Sequence, residues 1–213
     1  MATKTNVYPA SLEIDYPPKL DRLTTFFRIF WAIPALVILV FITAGGGDSS
    51  MNEAGTEMSG GTGGILMGLC VATALMILFR QRYPRWWFDF ALELNRFATR
   101  VGAYIFLLTD QYPSTVEKQS VHMNVVYPDA KQDLNRWLPL VKWLLALPHY
   151  LILIAITVAA FVATIIAWFA ILFTGRYPKG LFDFVVGVGR WNLRVYAYAF
   201  LLTTDQYPPF SLK

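Results

Sequence analysis

The sequence is short of charge and nearly without cysteine. Lys, Arg, Asp and Glu make up 15% of its 213 residues, where soluble domains average about a quarter. Apolar residues take their place: 56% are hydrophobic, 16% aromatic, and the mean hydropathy is +0.45. A chain this short, folded in water, would leave much of that apolar surface wet, and a bilayer removes the problem. The lone Cys70 excludes an intramolecular disulfide. Its neighbours Gly68, Leu69, Val71 and Ala72 make it a small packing residue.

Chemistry-bearing constellations are lacking too. His122 stands in a polar connector and His149 in an apolar run, and neither has a second ligand at metal spacing or a triad partner. Gly60-Gly61-Thr62-Gly63-Gly64 lacks the Lys-Ser/Thr that completes a phosphate loop, and it follows no strand. The formal charge of +4 is modest and the basic residues stand singly beside apolar runs, which argues against nucleic acid as a partner. The expectation is a non-enzymatic protein with no metal and no cofactor. The first 20 residues hold Tyr8-Pro9, Glu13, Asp15 and Tyr16-Pro17-Pro18, which is no signal-peptide core. Neither end carries a lipidation pattern, so uncleaved helices are expected to hold the chain in the membrane.

What is present is a series of apolar runs. Leu23 to Ala44 is apolar apart from Arg28 and a few threonines, and contains Pro34. That length crosses about 30 Å of hydrocarbon. The loop 45–64 is Gly-rich, holds Asp48, Glu53 and Glu57, and has no Lys or Arg. Ile65 to Phe79 is a shorter run, followed by Arg80, Arg82 and Arg85 around Tyr83-Pro84. Residues 86–109 then read as an amphipathic helix whose Asp89, Glu93, Arg96 and Arg100 share one stripe. In the second half, Leu138 to Phe173 is almost continuously apolar, and 180–203 reads as another such helix. Ser11 to Asp15 and Val121 to Val126 alternate as short strands within the polar connectors.

The two halves repeat one another. Ile77-Leu78-Phe79 and Ile171-Leu172-Phe173 lie 94 residues apart. At the same offset Arg82-Tyr83-Pro84 meets Arg176-Tyr177-Pro178, and Phe88-Asp89-Phe90 meets Phe182-Asp183-Phe184. Arg96 and Arg100 fall on Arg190 and Arg194, and after one inserted Thr204 the Asp110-Gln111-Tyr112-Pro113 tail falls on Asp205-Gln206-Tyr207-Pro208. Roughly half of the aligned positions are identical. Upstream the offset is 114, placing Arg28 on Lys142 and Pro34 on Pro148. The 20 extra residues are the Gly-rich loop. A polar loop fits the tip of a hairpin, not the middle of a lipid-crossing helix. Each half is therefore expected to hold a transmembrane hairpin.

The fold expected is an all-α membrane protein, a tandem repeat of a transmembrane helical hairpin plus an amphipathic interfacial helix. The first repeat is 1–113, with a hairpin of 23–44 and 64–80 and the amphipathic helix 86–109. The second is 114–213, with a hairpin of 138–156 and 158–174, turning near Thr157, and the amphipathic helix 180–203. The acidic loop belongs outside, and the basic residues at the hairpin bases belong in the cytoplasm. Four crossings and cytoplasmic N- and C-termini follow if the amphipathic helices lie in the interface. Six crossings would put Arg136 and Lys142 outside.

The stretch Ala170 to Val188, with Arg190-Trp191, Arg194-Val195, Ala197-Tyr198 and the tail from Leu201 to Pro209, resembles the domain of unknown function 4389 family of bacterial multi-pass membrane proteins. The first half is similar but diverged: Thr174-Gly175 becomes Arg80-Gln81, and Lys179-Gly180 becomes Arg85-Trp86. The resemblance implies a membrane protein of bacterial origin and brings no catalytic residues with it; the expected location is the bacterial inner membrane.

Two sets of residues are candidates for function. Arg82-Tyr83 and Arg176-Tyr177 are candidate lipid-headgroup or repeat-packing turns. Asp89, Arg96 and Arg100, with Asp183, Arg190 and Arg194, are candidate intramembrane or interfacial ion pairs. The expected partners are membrane lipids and either other membrane subunits or a further copy of the chain. The leading functional expectation is an accessory or scaffold subunit. An oligomeric transporter or channel component, or a lipid-binding protein, are the alternatives.

Overall fold

The computed structural model describes residues 8–44, 65–115, 117 and 119–213; the Gly-rich loop lies outside them. In chain order its elements are β1 (Ala10–Ile14), α1 (Arg22–Ala44), α2 (Ile65–Arg80), α3 (Arg85–Ile105), β2 (Val121–Val125), α4 (Pro139–Leu145), α5 (Leu147–Thr174) and α6 (Lys179–Ala199). The protein is mostly helical, and two stretches, Arg22–Phe41 and Leu147–Thr174, are long and apolar enough to cross a membrane.

Both short strands form, because their alternation gives each one an apolar and a polar face. They pair antiparallel with Leu12 opposite Met123 and Ala10 opposite Val125. Leu12 and Met123 point into the core, while Ser11, Glu13, His122 and Asn124 point out.

The helix ends follow from local chemistry. α5 ends at Gly175, whose φ of 70° is the left-handed stop that glycine favours. At the matching place after α2, Gln81 takes φ 45°. α3 and α6 end three residues before the apolar pattern does. The chain turns through left-handed leucines, Leu107 (φ 63°) and Leu202 (φ 57°), and both side chains are buried.

One expectation is overturned here. The hairpin of 138–156 and 158–174 is not formed. α5 runs unbroken through Thr157 for 28 residues, about 42 Å at 1.5 Å per residue. Nothing at Thr157 interrupts the backbone ladder: there is no Gly, no Pro and no inserted loop. Ala160, Ala163 and Ala167 keep one face of the helix buried past that point. The break comes earlier, at Ala146, because Pro148 occupies the first turn of α5 and cannot continue α4.

The elements stack in three layers. α3 and α6 form the middle. The sheet covers one side of them: Arg190 Nε of α6 donates to the Leu12 carbonyl of β1 at 2.9 Å, and Arg96 Nε of α3 donates to the Met123 carbonyl of β2 at 3.1 Å. The apolar helices cover the other side. Ala35 of α1 packs on Phe97 and Val101 of α3, and Ala146 and Leu153 cluster with Trp191, Val195 and Tyr198 of α6. Each strand therefore lies on the amphipathic helix of the other half of the chain.

Candidate functional site

The most deeply set charges are two basic side chains on the apolar helices. Arg28 of α1 is 3% exposed. Its Nη1 donates to the carbonyls of Tyr104 (3.2 Å) and Thr109 (2.8 Å), its Nη2 pairs with Asp110, and its guanidinium lies 4.6 Å over the Tyr104 ring. Lys142 of α4 is fully buried. Its Nζ donates to the Thr204 carbonyl at 2.8 Å, pairs with Asp205 at 2.7 Å and lies 5.2 Å from the Tyr198 ring centre. The surroundings match as well. Asp110 accepts from the Asp21 backbone and Asp205 from the Asn135 backbone. A buried cation is tolerable when paired and hydrogen-bonded; each of these meets both a carboxylate and a backbone carbonyl, and only Nε of Arg28 is left without a partner among the described residues. Each pair ties the start of an apolar helix to the segment leaving an amphipathic one.

The sequence reading named neither pair. The signal was present, however. The upstream offset of 114 aligns Arg28 with Lys142, and the downstream alignment, after the inserted Thr204, puts Asp110 on Asp205, so opposite charges recur together in both halves.

The basic turns divide by residue type. Arg82 and Arg176 are exposed, whereas Tyr83 is 4% exposed and Tyr177 fully buried. Tyr83 Oη donates to the Leu201 carbonyl at 3.0 Å. The tyrosines that follow the two strands close over these turns: Tyr16 Oη donates to the Tyr177 carbonyl at 2.5 Å, and Tyr127 Oη to the Tyr83 carbonyl. Burial pushes the Tyr177 hydroxyl up to about 12 and raises those of Tyr83 and Tyr8 as well. The tyrosines thus stand in the packing between the halves. Only the arginines remain outward.

The charged stripes do not pair as expected. Asp89 meets Arg85 at 3.9 Å and Asp183 meets Lys179 at 3.1 Å, both on the surface. The arginines go elsewhere: Arg96 to Glu93 and the Met123 carbonyl, Arg100 to the Ser114 carbonyl, Arg190 to the Leu12 carbonyl and Arg194 to the Ser211 carbonyl. The reason is distance. Asp89 and Arg96 are seven residues apart, about 10 Å along the helix axis, while a basic residue four before each aspartate is in direct reach. The stripes hold the sheet and the polar connectors onto α3 and α6.

His149 is buried and accepts from Trp191 Nε1 at 3.1 Å, with its ring stacked on Phe210. Among the described residues no group of three or more His, Cys, Asp or Glu could hold a metal ion. A cavity of about 310 Å³ lies between α3 and α6 under β1. Leu12, Asn95, Thr99, Asn192 and Tyr196 are among its lining residues.

Residues 137–211 match the family model described as a domain of unknown function (DUF4389). No curated protein and no solved structure matches the chain.

Proposed function

We propose, for a chain whose residues 137–211 match the DUF4389 family model, a non-enzymatic protein of the bacterial inner membrane, built of two tandem copies of that unit and serving as an accessory or scaffold subunit. The copies assemble with each other and with a larger membrane complex or a further copy of the chain. Both termini lie on the cytoplasmic side.

The observation that carries this reading is the sorting of the surface. The outer sides of α1 and α5 are apolar throughout, with Phe41 79% and Phe173 78% exposed. The opposite side of the molecule is capped by polar strands. Equivalent contacts in the two halves support the duplication: Arg28–Asp110 with Lys142–Asp205, and Arg96–Met123 with Arg190–Leu12. The transporter reading draws less support, since the stripe arginines are occupied by backbone carbonyls. The test is gentle extraction of a tagged copy from native membrane, followed by native mass spectrometry. Retained subunits or a defined homo-oligomer is the expected result. A bare monomer carrying nothing would overturn the proposal.

A further inference from the structure

The middle layer meets opposite chemistry on its two sides. On one side of α6, β1 runs antiparallel to it. Tyr8 donates to the Arg194 carbonyl, the Leu12 carbonyl accepts from Arg190, and the Tyr16 ring stands edge-on to Phe182, with centroids 5.0 Å apart. On the other side α5 runs antiparallel too, from His149 against Trp191 down to the turn where Tyr177 meets Phe182. α3 repeats the arrangement. β2 runs along it from Met123 on Arg96 to Tyr127 on Phe88, and α1 packs on its opposite side from Arg28 at Tyr104 to Ala35 at Phe97.

This has a consequence for membrane topology. If α5 stood along the membrane normal, α6 and β1 would stand along it too. Glu13 and Asp15, both exposed on or just after β1, would then be carried into hydrocarbon beside it. Ionised groups are costly there, and strand edges and loops at that depth need protein or water around them. Turning the molecule so that the layers parallel the membrane removes the conflict. All the exposed apolar side chains of α1 and α5 then face acyl chains, and all the polar strand residues face water.

We infer that the chain sits in one leaflet, with α1, α2, α4 and α5 lying in the membrane plane among the acyl chains, α3 and α6 at headgroup level, and the sheet in water. This replaces the four crossings that the charge pattern alone predicts, and it rests on the membrane reading proposed above. The occupant of the apolar face is one leaflet of a bilayer containing anionic lipid. Arg85 and Lys179 lie over the rings of Tyr127 and Tyr16, the tyrosines just past the strands, each at 5.2 Å. Together with exposed Arg82, Arg136 and Arg176, they stand at the junction of the two faces, where lipid phosphates lie.

The experiment is cysteine mapping of the full chain in a Cys70→Ala background. Single cysteines are placed by Ser11→Cys, Lys131→Cys, Val158→Cys and Lys179→Cys. Inside-out and right-side-out vesicles are treated with a membrane-impermeant maleimide. The expected result is that positions 11, 131 and 179 label from the cytoplasmic face alone and position 158 from neither face. Labelling of 131 and 179 from opposite faces would mean that α5 crosses, and would overturn the inference while leaving the membrane reading intact. Labelling of 158 from the outer face would overturn it in favour of a hairpin. Recovery of the protein in the soluble fraction after an alkaline wash would remove the membrane reading itself.

Discussion

At the scale of single residues, the two buried cations are the features whose removal is felt most. Lys142→Ala leaves Asp205 without its charge partner, with its side chain only 23% exposed. Breaking a buried pair from one side costs about 3–5 kcal/mol; the partial exposure of Asp205 brings the expectation to about 2–3 kcal/mol, read as a lower melting temperature in detergent or nanodiscs. The protein carries its own control. Arg28 fills the equivalent place in the first half, so Lys142→Arg should recover most of the loss. Lys142→Ala combined with Asp205→Ala should cost less than the sum of the two single changes. The buried tyrosines make a different prediction. Tyr177, raised from 10.0 to about 12, binds its proton more tightly folded than unfolded. Its contribution is complete below the unfolded value of 10.0 and is lost as pH rises from there through about 12. Tyr83 and Tyr8 shift in the same direction. An ultraviolet tyrosinate titration should therefore show a late, cooperative step coinciding with loss of structure, and Tyr177→Phe should shrink that step.

At the scale of elements, the stop signals between helices are the testable features. α5 ends on Gly175 in the left-handed region, and α2 ends on Gln81 in the same region. A side chain there costs about 1–2 kcal/mol, partly offset by the greater freedom of an unfolded glycine. Gln81→Gly should thus stabilise the protein by about 0.5–1 kcal/mol, measured by thermal melting, whereas Gly175→Gln should destabilise it by a similar amount. Most elements were legible in the sequence. The starts of the apolar runs and the strand alternation lay within a residue or two of the helices and strands that form. The ends of α3 and α6 were not, because the apolar pattern of Phe106-Leu107-Leu108 continues past the point where a left-handed leucine turns the chain. Nor was the unbroken α5. The loop of the first half has no counterpart in the second, and continuous helix-forming residues across Thr157 carry α5 through the expected turn. At the site, Arg28, Lys142, Asp110 and Asp205 were each visible in the alignment of the halves. Their pairing was not, since an offset shows which residues are equivalent and is silent on which residues touch.

At the scale of the whole molecule, the same silence hides how the halves interlock. β1 lies on α6 and β2 on α3, through Arg190 with Leu12 and Arg96 with Met123. Tyr16 closes over the Tyr177 turn and Tyr127 over the Tyr83 turn, and Trp168 of α5 donates to the Thr25 carbonyl of α1 at 3.2 Å. Leu12 and Met123, directly opposite in the sheet, accept from Arg190 and Arg96 respectively. Each half thereby supplies the strand that covers the other's amphipathic helix. If this exchange holds the protein together, neither 1–113 nor 114–213 should accumulate as a folded species alone, because each would expose an uncovered helix and an unpaired strand. Coexpression of the two fragments should restore a protease-resistant complex, measured by limited proteolysis and by co-purification through a tag on one fragment. Stable, protease-resistant accumulation of 114–213 alone would instead make the two halves independent units that merely touch.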